Sequence, residues 1–268
     1  MCTLSTTSSI HDAESEALKS DEHTSDRSQA KRTTIRISDD ADLILDVHIP
    51  SEDKHILYQV STGGLRGSSL YFRNLLDPEK FSEGAHVKTV QSTLRERYPS
   101  LRDVPAIELP GISVVGIGQL SRRARHEDLM TTFLRILLGD PSHEYQSSPS
   151  WLANLVVIAD RFDGLQKIRE FVKTRHWVYG VFATKWLNST YKEEPIRQIL
   201  LSGVLLDFPE WVTSCSTRLV MHGSRCWAGS LENEDEGDRA LWWTLPSGLE
   251  GASIILLQPY DTDVPQRS

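Results

Sequence analysis

One stretch, residues 42–84, constrains the fold of this chain more than any other. Apolar side chains alternate with less apolar ones from residue 43 to residue 48, which predicts a strand with one apolar face. Turn-forming residues follow at 50–54, and a second apolar run occupies 56–60. The sequence therefore predicts that the folded region opens with a pair of adjacent strands.

The apolar period then changes from that of a strand to that of a helix. Leu65, Phe72 and Leu76 fall at helical spacing and predict an inward apolar stripe of about three turns. Because a glycine inside a helix costs about 1 kcal/mol, we place the start of this helix at or after Gly63 and Gly64. The proline that follows the stripe predicts its end.

The rest of the chain predicts mainly helices. Residues 85–105 form a polar stretch with a short helix expected near 89–97, and residues 106–110 predict a third strand stopped by a proline. Helices are predicted from residue 127 to Gly139, over 151–163 with Ser150 as its N-cap, from residue 165 onward, over 193–206 and over 209–221. Early strands and late helices indicate an α+β fold rather than a doubly wound sheet.

Composition bounds the class of protein. Residues 1–38 are rich in Ser, Thr and charged side chains, which predicts a disordered tail. The net charge of -8 gives no general attraction for nucleic acid or anionic membranes. Three cysteines do not make a disulfide framework, and no apolar run is long enough to span a membrane. We expect an intracellular protein of the cytoplasm or nucleus, without a membrane partner.

Two weak motifs could carry small-molecule or metal chemistry. Gly116-Ile117-Gly118 is an incomplete dinucleotide fingerprint, and its context favours a loop. Cys215, His222 and Cys226 lack a fourth ligand and paired spacing, so a helix-packed Cys215 is favoured over zinc. We therefore predict no catalytic residue, no cofactor, no metal and no small-molecule substrate; the protein is predicted not to be an enzyme.

A basic loop offers a different kind of function. Arg122, Arg123 and Arg125 could contact phosphate, as in a nuclear transcription-related regulator. Glu127 and Asp128 follow directly, however, which favours a solvated loop. Nucleic-acid binding stays as the alternative hypothesis.

Several motifs in their order resemble BTB/POZ domains, and most closely those of fungal BTB-containing proteins. The resemblance covers roughly residues 40–250. It rests on Asp-Leu-Ile-Leu at 42–45, Leu-x3-Ser-x2-Phe-Arg at 65–73, Phe-Ser-Glu-Gly at 81–84, Ile-Glu-Leu-Pro at 107–110 as a third strand, the helical segments 133–139 and 155–163, and the Trp-rich segments 208–211 and 241–250.

The resemblance implies a two-layer α/β domain that recognises proteins, frequently by homodimerising, and in some members adapts substrates to cullin-type ubiquitin ligases. We divide the chain into a tail (1–38), a BTB/POZ-like domain (39–176) with insertions near 85–105 and 111–126, a helical extension (177–250) and an irregular end (251–268). The expected partner is a protein, a second copy included. The predicted partner-binding face comprises Leu43, Leu45, Arg66, Leu70 and Arg73.

Overall fold

Four short strands form one mixed sheet in the structure, a computed structural model. It describes residues 31–121, 123–140, 148–176, 193–222 and Trp242. The sheet order is β1-β3-β2-β4. The strands are β1 (Lys31–Arg36), β2 (Leu43–Ile49), β3 (Lys54–Val60) and β4 (Gly111–Val115).

Strands β2 and β3 form the centre of the sheet as an antiparallel hairpin. Leu43 pairs with Val60 at the open end, and Ile49 pairs with Lys54 beside the turn. The turn itself is a single 3-10 turn, closed by Asp53 in the left-handed conformation with φ of 45°. β1 lies parallel to β3, and β4 lies parallel to β2. The predicted pair of adjacent strands is confirmed.

Eight α-helices accompany the sheet in the described ranges, so the predicted α+β class is confirmed. They are α1 (Thr62–Ser68), α2 (Leu70–Leu75), α3 (Ser82–Arg97), α4 (His126–Leu138), α5 (Pro149–Arg161), α6 (Leu165–Thr174), α7 (Glu193–Leu205) and α8 (Pro209–His222). The predicted continuation of α6 beyond residue 176, the acidic run 232–238 and the segment 243–268 lie outside the described residues.

Two predictions about the strands were wrong. Residues 31–36, which we predicted to belong to a disordered tail, form β1, and one inward side chain, Ile35, packs on the core. The rest of that predicted tail, residues 1–30, lies outside the described residues. The third strand predicted at 106–110 is instead a 3-10 turn (Ala106–Glu108), and the strand begins at Gly111. Prolines at 105 and 110 lack the N–H that a ladder needs, so pairing with β2 starts only at the Pro110 carbonyl.

The first helix also differs from the prediction, since it begins before its two glycines. Ser61 caps α1 by accepting a hydrogen bond from the Gly64 N–H at 3.3 Å. A Cβ at Gly64 would lie 2.7 Å from Leu138 Cδ2, so the Leu138 side chain of α4 packs directly on the backbone of this glycine. Capping and close packing therefore outweigh the cost of glycine in the helix.

Two further helix boundaries were mispredicted. α3 spans 16 residues rather than a short segment near 89–97. It is mostly polar because it buries only a narrow stripe, which includes Val87 and Leu94. α5 is capped by Ser148, not Ser150, because Pro149 occupies its first position, where the missing N–H costs nothing.

The core lies mainly between one face of the sheet and the helices. Leu43, Leu45 and Val47 of β2 are fully buried there and join side chains from all the later helices. A smaller cluster covers one end of the opposite face, where Ile44 meets Leu94 of α3. The predicted apolar face of α8, with Trp211, Cys215 and Leu219, is buried in the main core, as is Trp242.

The backbone of the turn that follows α2 approaches α3 closely at Gly84. A Cβ there would lie 2.6 Å from both the carbonyl carbon and the carbonyl oxygen of Asp77. We expect Gly84→Ala to lower the free energy of unfolding by about 1–3 kcal/mol, because backbone atoms must shift. Urea unfolding of the full chain measures this loss.

Gly67→Ala provides the matched control, since a Cβ at this α1 position meets nothing within 4 Å. That variant should be as stable as the wild type or more stable, by about 0.5–1 kcal/mol. Equal stability of the two variants would contradict the close approach.

Candidate protein-binding surface

The junction between α1 and α2 is set by one buried hydroxyl. Ser69 has an extended backbone, with φ of -143° and ψ of 131°, and therefore interrupts the helical run. Its Oγ accepts a hydrogen bond from the Phe72 N–H at 3.1 Å and donates one to the Phe162 carbonyl at 2.6 Å. The same side chain thus caps α2 and fastens it to the end of α5.

An aromatic cluster holds the inner side of α2. The Phe72 ring stacks on Phe162 with centroids 5.5 Å apart, and Phe162 stacks in turn on Phe133 of α4 at 5.7 Å. Tyr71 meets Phe162 edge-on at 5.2 Å. Such pairs add about 0.5–1.5 kcal/mol each beyond the area they bury, so α2 has a fixed orientation.

The outer side of the junction carries an apolar side chain flanked by two cations. Leu70 is 52% exposed, and Arg66 and Arg73 are exposed on either side of it in sequence. Arg73 Nε donates to the Arg66 carbonyl at 3.1 Å, which ties the two helices together across the break. We call these three residues the Leu70 surface.

The other two residues of the predicted partner face do not belong to this surface. Leu43 and Leu45 have 0% exposure and pack in the main core. The prediction that their side chains contact a partner is wrong, because the apolar face of β2 is the face that the helices cover. Arg66, Leu70 and Arg73 remain available to a partner.

The base of α1 is fixed by a polar network around Asp42. The Asp42 carboxylate accepts a hydrogen bond from the Thr62 N–H at 2.6 Å, at the positive end of the helix. Gln91 of α3 donates to the Asp42 carbonyl at 3.1 Å and to the Thr62 hydroxyl at 3.2 Å. The residue before β2, the start of α1 and the middle of α3 therefore share one hydrogen-bonded joint.

A cleft of about 440 Å³ opens beside the edge strand β1, and we call it the β1 cleft. Ile35 forms one wall, the first turns of α4 form another, and Trp151 and Asn154 of α5 form a third. Asn154 is saturated by Ser121 and the Ser150 carbonyl, at 2.8–3.1 Å, so it shapes the wall rather than offering free donors.

The basic loop that precedes α4 is partly neutralised where the structure describes it. Arg125 pairs with Asp128 at 2.9 Å, and Glu127 pairs with Lys54 of β3. Arg123 is exposed, while Arg122 lies outside the described residues. This arrangement supports the interpretation as a solvated loop more than a phosphate-binding site.

The glycine motif forms a loop, as predicted. Gly116 and Gly118 have positive φ of 72° and 114°, and no helix begins until His126. A Cβ at Gly118 would lie 2.8 Å from Val157 Cγ1, and Arg161 donates to the Gly116 carbonyl at 2.7 Å. Gly118 therefore serves close packing against α5, and Gly116 serves the positive φ of the loop, which accounts for both glycines without a bound phosphate.

The residues that the structure describes give no support to a zinc site at Cys215, His222 and Cys226. Cys215 is fully buried, and burial raises the pKa of its thiol to about 12. Cys226 and the side chain of His222 lie outside the described part of the chain. Within that part, no group of three or more His, Cys, Asp or Glu side chains is placed to hold a metal ion.

Comparisons with known proteins do not place the chain in a family, since no family model, no curated protein and no solved structure matches it. No helix in the described ranges has the length and apolar character needed to cross a membrane.

Sequence reasoning found the Leu70 surface and missed the β1 cleft. The alternation in β1 is visible in the sequence, with Thr33 and Ile35 facing inward and Arg32, Thr34 and Arg36 outward. One apolar residue in six is too weak a signal to separate an edge strand from a polar tail. The remaining walls come from residues distant in sequence, which no local pattern links.

We expect Ser69→Ala to destabilise the protein by about 2–4 kcal/mol. The change removes the cap of α2, worth about 1 kcal/mol, and leaves the Phe162 carbonyl without its donor, at about 1–3 kcal/mol. Chemical denaturation followed by tryptophan fluorescence measures the loss. Ser68→Ala removes the same group one residue earlier, at a half-buried position, and should change stability by less than about 0.5 kcal/mol.

Cys215 should resist alkylation in the folded protein, because the reactive thiolate is scarce and the sulfur is shielded. Treatment with iodoacetamide at pH 8, followed by peptide mapping, should label Cys215 only after urea is added. Labelling of native protein as fast as that of free cysteine would show that the helix α8 opens readily or that the thiol is not buried.

Proposed function

We propose that this chain is a non-catalytic protein–protein interaction module of the BTB/POZ type, which binds a protein partner, a second copy of itself included, through the Leu70 surface. The order of the elements supports the type. The hairpin is followed by two short helices, by α3, by a strand that returns parallel to β2 and then by helices alone, an order that fits a two-layer α/β domain with a helical extension.

The single observation that carries the proposal is the exposed Leu70 between two arginines on a rigid support. Interfaces have an apolar centre and a polar rim, and arginine is enriched in the residues that contribute most to binding. The Ser69 hydroxyl, the Phe162 stack and the Asp42 network hold this backbone in place. Little ordering entropy is therefore lost when a partner docks.

Nucleic-acid binding through the loop before α4 is the less favoured function. Arg125 forms an ion pair with Asp128, and a second acidic residue, Glu127, lies two positions after it in sequence. A DNA-binding surface needs cations that are free to replace counterions on phosphate. The proposal also does not extend to a ubiquitin-ligase adaptor in particular, because nothing in the Leu70 surface distinguishes that role from other kinds of protein binding.

A photo-crosslinking residue at position 70 tests the proposal. We place p-benzoylphenylalanine at position 70 in the full chain and irradiate it, first as purified protein at micromolar concentration and then in lysate of the source cells. We expect a crosslinked protein product, whose mass identifies self-association or another partner. Arg73→Glu on the same background should reduce the yield, since it reverses a rim charge.

The same crosslinker at position 107 is the control, because Ile107 is 94% exposed and lies in a turn outside the Leu70 surface. Products at 70 but not at 107 support the proposal. Equal products at both positions would show non-specific capture, and no product at 70 in either sample would exclude this surface as the binding site.

A further inference from the structure

We infer that the free edge of β1 is a second binding site, which accepts an extended segment of a partner protein in which acidic residues alternate with apolar ones. The segment would add to the sheet as a fifth strand, with its apolar side chains entering the β1 cleft. This site is separate from the Leu70 surface, and the inference does not depend on the function proposed there.

The first observation is an open sheet edge. β1 pairs with β3 on one side only, and among the described residues no strand occupies its other side. An edge strand presents a row of backbone donors and acceptors, which a strand from another chain can pair with. Six residues, Lys31–Arg36, give enough length for several such bonds.

The second observation is the charge on the outward face of that edge. Arg32, Thr34 and Arg36 alternate along β1 and are all exposed. Arg36 also donates to the carbonyls of Ser38 and Asp39, at 3.2 and 2.7 Å, which fixes its guanidinium near the strand end. Residues directly opposite on neighbouring strands share a face, so acidic side chains of an added strand would lie against these cations.

The third observation is the cleft on the inward face of the same strand. Ile35 points inward and forms one wall of the β1 cleft, so the inward side chains of an added strand would lie beside it. Glu127 and Asp128 in the cleft are paired with Lys54 and Arg125, and Arg123 lines the cleft as well. The apolar part of the lining consists of Ile35, Ala124, Leu129 and Trp151, and the apolar side chains of the segment would contact these residues.

Alternation in the partner follows from these two faces. A strand exposes successive side chains to opposite faces of a sheet. Every second residue of the segment therefore meets the arginine face, and the residues between them meet the cleft. An acidic–apolar repeat satisfies both faces at once, whereas a basic repeat would be repelled by Arg32 and Arg36.

A fluorescein-labelled six-residue peptide of alternating Glu and Val tests the inference by fluorescence anisotropy with the full chain. We expect saturable binding that weakens with added salt. The double variant Arg32→Glu, Arg36→Glu should weaken binding about tenfold or more, through the lost and reversed charge pairs. The double control Lys88→Glu, Arg95→Glu makes the same charge change at two exposed positions of α3 and should leave binding unchanged.

Two further probes separate strand addition from simple charge attraction. A peptide of the same sequence with alternate amide nitrogens methylated along one edge keeps its charges but loses donors to β1, and it should not bind. Ala124→Trp fills the cleft and should weaken binding of the Glu–Val peptide, while circular dichroism verifies that the variant folds.

Several results would overturn the inference. These are no saturable binding, equal binding of the methylated peptide, or equal binding to the Arg32 and Arg36 double variant. If the wild type self-associates and the double variant does not, the edge of β1 binds a second copy of the chain. If the peptide does not bind and the amides of residues 31–36 exchange slowly in the free protein, the edge of β1 is covered by another segment of this chain.

Discussion

The two hydrogen bonds of the buried Ser69 hydroxyl are the interactions on which the Leu70 surface depends. The hydroxyl ends one helix, caps the next and donates to a carbonyl 93 residues later in the chain. Because the Phe162 carbonyl accepts this hydrogen bond, the orientation of α2 is coupled to the end of α5. Leu70 is exposed next to this joint, so the same geometry that closes the core also presents an apolar side chain to solvent.

The sheet also has two different faces, one packed against helices and one largely exposed to solvent. Helices cover one face of the central strands, and α3 covers only one end of the other face. The uncovered positions include the stacked rings of His48 and His55, 4.6 Å apart, and the outward arginines of β1. Polar side chains are tolerated there because each retains contact with water.

Strong local periodicity explains which elements could be predicted. The hairpin and helices α4, α5, α7 and α8 carry regular apolar patterns that a single segment reveals. β1 and α3 do not, because each buries only a narrow stripe and is stabilised by neighbours far away in sequence. The start of α1 was predicted too late because the prediction relied on the low helix propensity of glycine. A propensity scale takes no account of the Ser61 cap or of the contact with Leu138.

By itself, the sequence determined the α+β class and the central hairpin, because these follow from the periods of the apolar side chains. The helical spacing of Leu65, Phe72 and Leu76 also left Arg66, Leu70 and Arg73 on the opposite, exposed side. Only the tertiary structure decided that Leu43 and Leu45 are core and that Ile35 lines a cleft beside an open edge. The physical reason is that a pattern identifies an apolar face, whereas packing decides what covers it.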